Sequence, residues 1–341
     1  MSYGRDRGRR PRGEQRSPAA QSLFRQALLG RLERPYFPRP GLAEVLATWL
    51  LYGAVAVAIL ITYSRLPPTD FYNVSGEGVR AGAGRVLVFL NYPVALVAIA
   101  LLAVLAERLR GRLAVVAVFA AVLCAVVFWP GVVEQSDLDA KPVNAVPALG
   151  VLVALVLTGV ALARGGIGAS RSFGGPWDVV RVVTAVLLLL VALPWLFADV
   201  GVYVARVPGL GFFMSDEVLP EPGQPRLRAV HLGHHHGLDG ILLALTAMAL
   251  SRVVPAMRTQ PLRLALGFYV SLMFVYGLAI ALEDFWLEQL VKRGTTSLRI
   301  PSMTVPEVSW AWAAILVAAL LIHSAARGVG RLDTSRQEGA P

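Results

Sequence analysis

Long apolar runs separated by short polar breaks dominate the chain. Eight runs, at roughly 43–64, 86–106, 113–133, 142–163, 179–200, 238–257, 262–283 and 309–326, are each bounded by Arg, Pro, Gly or acidic clusters. A hydrocarbon core of ~30 Å takes about 20 apolar residues at ~1.5 Å per residue, so each run is read as a transmembrane helix. The pattern predicts an all-α, polytopic integral membrane helix bundle with about eight transmembrane helices. Pro93 and Pro194 fall inside the second and fifth runs and predict kinks there.

The flanks read differently. Residues 1–21, MSYGRDRGRRPRGEQRSPAAQ, are Arg-, Gly- and Pro-rich without an apolar period and are expected to be a disordered cytoplasmic tail. In residues 22–38, Phe24, Leu28 and Leu32 repeat every four positions between arginines, the pattern of an amphipathic helix lying in the interface. The transmembrane domain is assigned to 39–327, with a long outer loop at 201–237, and 328–341 is expected to be a disordered C-terminal tail. The loop carries PGLGFFMSDEV, whose Phe212, Phe213 and Met214 suit either a lid or a plain surface turn. No internal repeat and no pair of Gly/Pro-broken helices of the inverted-repeat transporter kind is present, so one bundle domain suffices.

Composition agrees with the pattern. Of 341 residues, 56% are hydrophobic and 16% charged, and the mean hydropathy is +0.60, outside the range of ordinary soluble domains. The net charge of +10 is explained by topology. With both termini cytoplasmic, Arg108, Arg110, Arg112, Arg164, Arg171, Arg181, Arg252, Arg258 and Arg263 all fall in inner loops, as the positive-inside rule requires. The expected location is therefore the cytoplasmic membrane, and the expected partners are the lipid bilayer and anionic lipid headgroups at the N-terminal segment. No nucleic acid is implied and no residue names a protein partner. Lys141 and Lys292 are the only lysines, a bias that points to a GC-rich bacterial genome. A single cysteine, Cys124, excludes disulfides within the chain and Cys-rich metal motifs.

The polar exceptions collect at the outer level. HLGHHHGLDG, residues 231–240, holds four of the five histidines. Read as helix, it stacks His231, His235 and Asp239 at four-residue intervals with His234 adjacent, a candidate ligand set for Zn or another divalent transition metal. Asp199, Asn91 and Tyr92 lie at the same level as a supporting pocket. Glu283 and Asp284, at the outer end of the seventh run, are the candidate catalytic bases for a metal-bound water. The competing reading makes Asp239 an N-cap and the histidines a wet helix mouth.

His-x-x-His-His is similar to one histidine box of the membrane di-iron desaturases and hydroxylases. That likeness ends after five residues, and His323 lies at the opposite membrane face, so the family is set aside. No H-E-x-x-H, G-x-S-x-G or G-x-x-x-x-G-K-[ST] occurs. The sequence thus predicts a multi-pass bacterial membrane protein with an outward His/carboxylate cluster, read as a metal-dependent hydrolase at the outer leaflet. A transporter of lipid or neutral solute, or a non-catalytic accessory or sensor subunit, are the alternatives.

Overall fold

A computed structural model of the protein describes residues 41–67, 75–133, 139–169, 174–203, 208, 218–219, 227–228, 231–292, 294–306 and 308–338. The N-terminal tail, the interfacial helix at 22–38 and most of the 201–237 segment, Phe212 to Met214 included, lie outside these residues. The described residues are helical apart from loops and one two-residue antiparallel ladder, Val218–Leu219 with Leu227–Arg228.

Every predicted apolar run forms a helix. These are α1 Leu42–Arg65, α2 Gly78–Arg108, α3 Arg112–Phe128, α4 Pro142–Ala163, α5 Pro176–Asp199, α6 His236–Ser251, α7 Gln260–Val291 and α8 Trp310–Glu338. Six are long and apolar enough to cross a membrane, while α3 and α6 are shorter. The eight apolar runs are thus eight helices, six of which have full membrane-crossing length. Positions 328–338, assigned above to a tail, continue α8.

The brevity of α6 has a local cause. Its 16 residues extend only about 24 Å. It starts late because Gly233, at φ +107°, and the extended His235 break the expected helix over 231–235. Even so, 11 of its 16 residues are buried, which makes α6 a central element. The preceding non-helical His231, Leu232, His234 and His235 are buried too. Irregular backbone is tolerated at such depth only inside protein or along a polar cavity, because each unpaired amide in hydrocarbon costs several kcal/mol.

Consecutive helices run antiparallel, so the helix ends gather into two polar levels. One level holds the C-terminal ends of α1, α3, α5 and α7 with the N-terminal ends of α2, α4, α6 and α8. At the other level Arg252, after α6, donates to Glu44 of α1 at 2.7 Å and to Asp178 of α5. Arg181 donates to Asp178 at 3.0 Å and to Ser251 Oγ at 2.9 Å. His323 packs edge-on against Phe268 on this second level, away from the other histidines.

Two departures from regular helix shape the first level. Pro93 lacks an N–H, and the ladder around it opens into a π-turn at Leu90–Val94, which turns Asn91 and Tyr92 into the bundle. Pro194 is carried within an otherwise continuous α5.

Helix α6 lies against α7 by backbone contact. A Cβ built on Gly240 falls 2.3 Å from the Gly277 carbonyl oxygen, and one on Gly277 falls 2.4 Å from that of Gly240. Such small-residue crossings are how helices approach closely where no water drives them together. Replacing either Gly240 or Gly277 by Ala is expected to destabilise the bundle by about 1–3 kcal/mol through overpacking. Gly53→Ala, at a position with open space around it, should leave the unfolding temperature unchanged. Thermal melts in one detergent check both.

Candidate functional site

The first polar level is built around His234. Its Nδ1 lies 2.8 Å from Asp199 Oδ1 at the end of α5, and its Nε2 lies 2.6 Å from Asp239 Oδ1 in the first turn of α6. Both ring nitrogens thus face carboxylate acceptors, an arrangement satisfied by a doubly protonated ring donating on both sides. The main chain is held as tightly. His234 N–H donates to Tyr63 Oη at 3.0 Å, and Gly233 N–H donates to the Ala198 carbonyl at 2.9 Å. Thr62 Oγ1 donates to the Asp199 carbonyl at 2.6 Å. The Phe89 ring covers the imidazole in edge contact at 5.0 Å.

The other three histidines part company. His231 and His235 stack with ring centroids 4.3 Å apart, and His235 Nε2–H donates to the His231 carbonyl at 2.9 Å. His236, the first residue of α6, points instead into a polar cavity with Asp239 and His234. Its Nδ1 lies 3.6 Å from Asp239 Oδ2, beyond hydrogen-bonding distance, and among the described residues neither ring nitrogen has a hydrogen-bond partner.

This corrects the expected metal face of His231, His234, His235 and Asp239. That face requires helix over 231–239, and helix begins only at His236. His234 commits both nitrogens to carboxylates, and His231 and His235 do not line the cavity. Among the described residues no three His, Cys, Asp or Glu side chains converge to hold a metal ion. The N-cap reading of Asp239 is replaced as well: the cap residue is His235, without a side-chain cap bond, and Asp239 lies one turn in.

The remaining candidates surround this centre. Asn91 and Tyr92 line the cavity, with Arg85, Lys141 and Asn144. Asn144 Nδ2 is engaged by the Val132 carbonyl at 3.1 Å, whereas Asn91 Oδ1 has no partner. Asp199 stands behind His234 and does not line the cavity. A Cβ on Gly237 falls 2.7 Å from Asp284 Oδ2 and 2.3 Å from the Trp195 ring, so only glycine fits between them. Glu283 is buried and accepts Met303 N–H at 2.7 Å. Neither Glu283 nor Asp284 lines the cavity. Tyr276 Oη donates to the Thr304 carbonyl, and Tyr92 Oη hydrogen-bonds to Tyr276 Oη.

Comparison with protein-family models, curated proteins and solved structures gives no match.

Two residues that matter here carry little signal in the sequence. Arg85 sits where an apolar run begins and reads as an ordinary boundary arginine, yet it is 3% exposed, with Nη2 3.5 Å from the His234 carbonyl. His236 falls outside the four-residue spacing that helix over the whole stretch would give. Its role becomes visible only once the helix start is known.

Protonation separates the two histidine groups. Burial pulls the His234 pKa down, but Asp239 and Asp199 outweigh it and raise the value from 6.5 to about 9. Burial holds His231 and His235 below 6.5, with His235 adding to the effect at His231. A raised pKa contributes stability that is complete below 6.5 and lost as pH climbs through about 9; a depressed one contributes stability lost as pH falls below 6.5. Stability is thus expected to peak near pH 6.5. His234→Asn should flatten the alkaline limb, which is worth on the order of 3 kcal/mol, and His235→Asn the acid limb. Melting temperatures from pH 5 to 10 check both limbs.

Proposed function

We propose that the protein is a multi-pass membrane hydrolase with eight crossings and both termini cytoplasmic, whose centre activates water at the outer face. The carrying observation is His236: an imidazole without a hydrogen-bond partner among the described residues, 17% exposed, opening into a cavity beside a carboxylate whose other oxygen is already fixed by His234. Sidedness is supported by the arginines, since Arg108, Arg110, Arg112, Arg164, Arg252, Arg258 and Arg263 belong to the level opposite the cavity.

In this reading Asp239 orients the His236 ring and stabilises the positive charge that develops there, and His234 holds Asp239 in place. No Ser, Thr or Cys lines the cavity among the described residues, so water is the nucleophile. Its proton passes to a His236 nitrogen, its oxygen bonds to the electrophilic centre of the substrate, and the leaving group departs with the proton from His236. Apo donor–acceptor distances such as the 3.6 Å here commonly tighten when substrate binds. The metal-assisted chemistry expected from the histidine spacing gives way to general base catalysis, because the ligand set it needed is dispersed.

Hydrolysis is favoured over transport by where charge lies. Among the described residues the buried ionisable groups sit at the two helix-end levels, and the span between them along α1 and α6 holds Tyr52, Thr48 and Thr246 but no acid or base. A charged or proton-coupled route needs such groups at depth.

The test is turnover of ester and phosphoester lipids in nanodiscs in ¹⁸O-labelled water, read by mass spectrometry of the products. One ¹⁸O per cleavage is expected, with kcat lowered about 10²-fold or more in His236→Gln and unaffected in His231→Asn. Wild-type kcat in His236→Gln would overturn the assignment. So would the absence of ¹⁸O uptake across the panel, which returns the protein to the transport reading.

A further inference from the structure

The polar cavity adjoins a second, apolar one. The polar cavity is a narrow cleft lined by Arg85, Asn91, Asp139, Lys141, His236 and Asp239 among others. The apolar cavity, about 920 Å³ including its mouth, lies between α2, α3, α7 and α8, with Phe128, Tyr269, Met273, Trp312 and Leu316 on its walls. Tyr92 and Val133 belong to both linings, so one layer of side chains at the π-turn of α2 divides the two spaces. Phe128 and Leu316 are also 51% and 43% exposed, on helix faces that carry other exposed apolar side chains, so the apolar cavity reaches the lipid-facing surface between α3 and α8.

Charge in the polar cavity says what enters. Arg85 is 3% exposed and its Nε has no partner. No Asp or Glu among the described residues forms an ion pair with it; its contacts are the His234 carbonyl at 3.5 Å and the Tyr63 ring face at 5.9 Å. Burying a guanidinium without a paired anion costs several kcal/mol, and its planar fork suits carboxylate or phosphate oxygens. A cation lacking its anion, at the polar end of a space whose other end is dry and open to the bilayer, fits one kind of molecule.

We infer that the two cavities form a single site for an anionic membrane lipid, its head group on Arg85 and one chain in the groove between α3 and α8. The assignment rests on the hydrolase reading only in making this lipid the substrate; the binding itself is tested separately. Each part has a distinct duty. Arg85 supplies the charge, Tyr92 forms the neck between head and chain, and Trp312 and Met273 hold the chain. The bond beyond the neck is thereby brought to the level of His236 and Asp239.

The test uses the full chain in phosphatidylcholine nanodiscs, titrated with octyl phosphate, octanol or inorganic phosphate and followed by tryptophan fluorescence. Octyl phosphate is expected to bind at least tenfold tighter than either of the others. Arg85→Gln should bring it to the level of octanol, and Leu272→Trp, which fills the groove, to the level of inorganic phosphate. If Arg85→Gln misfolds, the Leu272→Trp arm and the wild-type comparison still decide the matter. Equal binding of octyl phosphate and octanol in wild type would overturn the proposal, as would unchanged octyl phosphate binding in a folded Arg85→Gln, which would make Arg85 a local counter-charge to Asp199 and Asp239. His231→Asn, whose ring lines neither cavity, should bind octyl phosphate like wild type. Lost binding with ¹⁸O turnover intact would refute the lipid site alone, and retained binding without turnover would refute the hydrolase reading alone.

Discussion

An imidazole held between two buried carboxylates organises this end of the bundle. Asp199 closes α5, Asp239 opens α6, and His234 joins them at 2.8 and 2.6 Å across a turn that is not helical. In a low-dielectric interior each of these groups alone would be costly, whereas together they satisfy one another's hydrogen bonds. The same residue fixes the backbone, because its N–H reaches Tyr63 on α1 and its carbonyl faces Arg85 on α2. Four helices are thus tied to one unwound loop. That allows non-helical chain to be buried inside the bundle, where every amide must find a partner within the protein.

The depth of this loop depends in turn on glycine. Gly240 and Gly277 let α6 and α7 touch backbone to backbone, and Gly237 leaves room for Trp195 and Asp284. With a larger residue at any of these points, α6 would stand away from α7 and the carboxylates of Glu283 and Asp284 would withdraw from the His236 level. Close packing and polar chemistry are therefore one constraint here: the helices must approach closely enough that the few polar groups meet each other before they meet lipid.

Much of the architecture was legible in the chain. Apolar runs bounded by Arg, Pro and Gly became helices because hydrophobic length is a property of consecutive residues. The gathering of Asn91, Tyr92, Asp199, the histidines, Glu283 and Asp284 at one level followed from counting helix directions. What stayed hidden was register. Placing His231, His235 and Asp239 on one face assumed helix throughout, and the single φ of +107° at Gly233 breaks that assumption, sending His234 to bridge and His236 to the cavity. Arg85 was hidden for another reason. An arginine at the edge of an apolar run has a sufficient local explanation as a topology signal, and its contact with a carbonyl 149 positions away is not written in its neighbours.

The two ends of the bundle use charge in opposite ways. At the far level Arg252 is held by Glu44 and Asp178, and Arg181 by Asp178 and Ser251, and these groups serve as a clamp. At the near level Arg85 keeps no carboxylate partner among the described residues, and Asn91 Oδ1 and both nitrogens of His236 have no hydrogen-bond partner among them. Evenly paired groups stabilise a fold, whereas a fold that keeps buried groups unpaired forgoes about 1–3 kcal/mol for each. Such a loss is tolerated where a ligand supplies the missing partners. The lipid-facing gap between α3 and α8 offers that ligand a route in from the side, which leaves the clamped far end and the apolar middle of the bundle undisturbed.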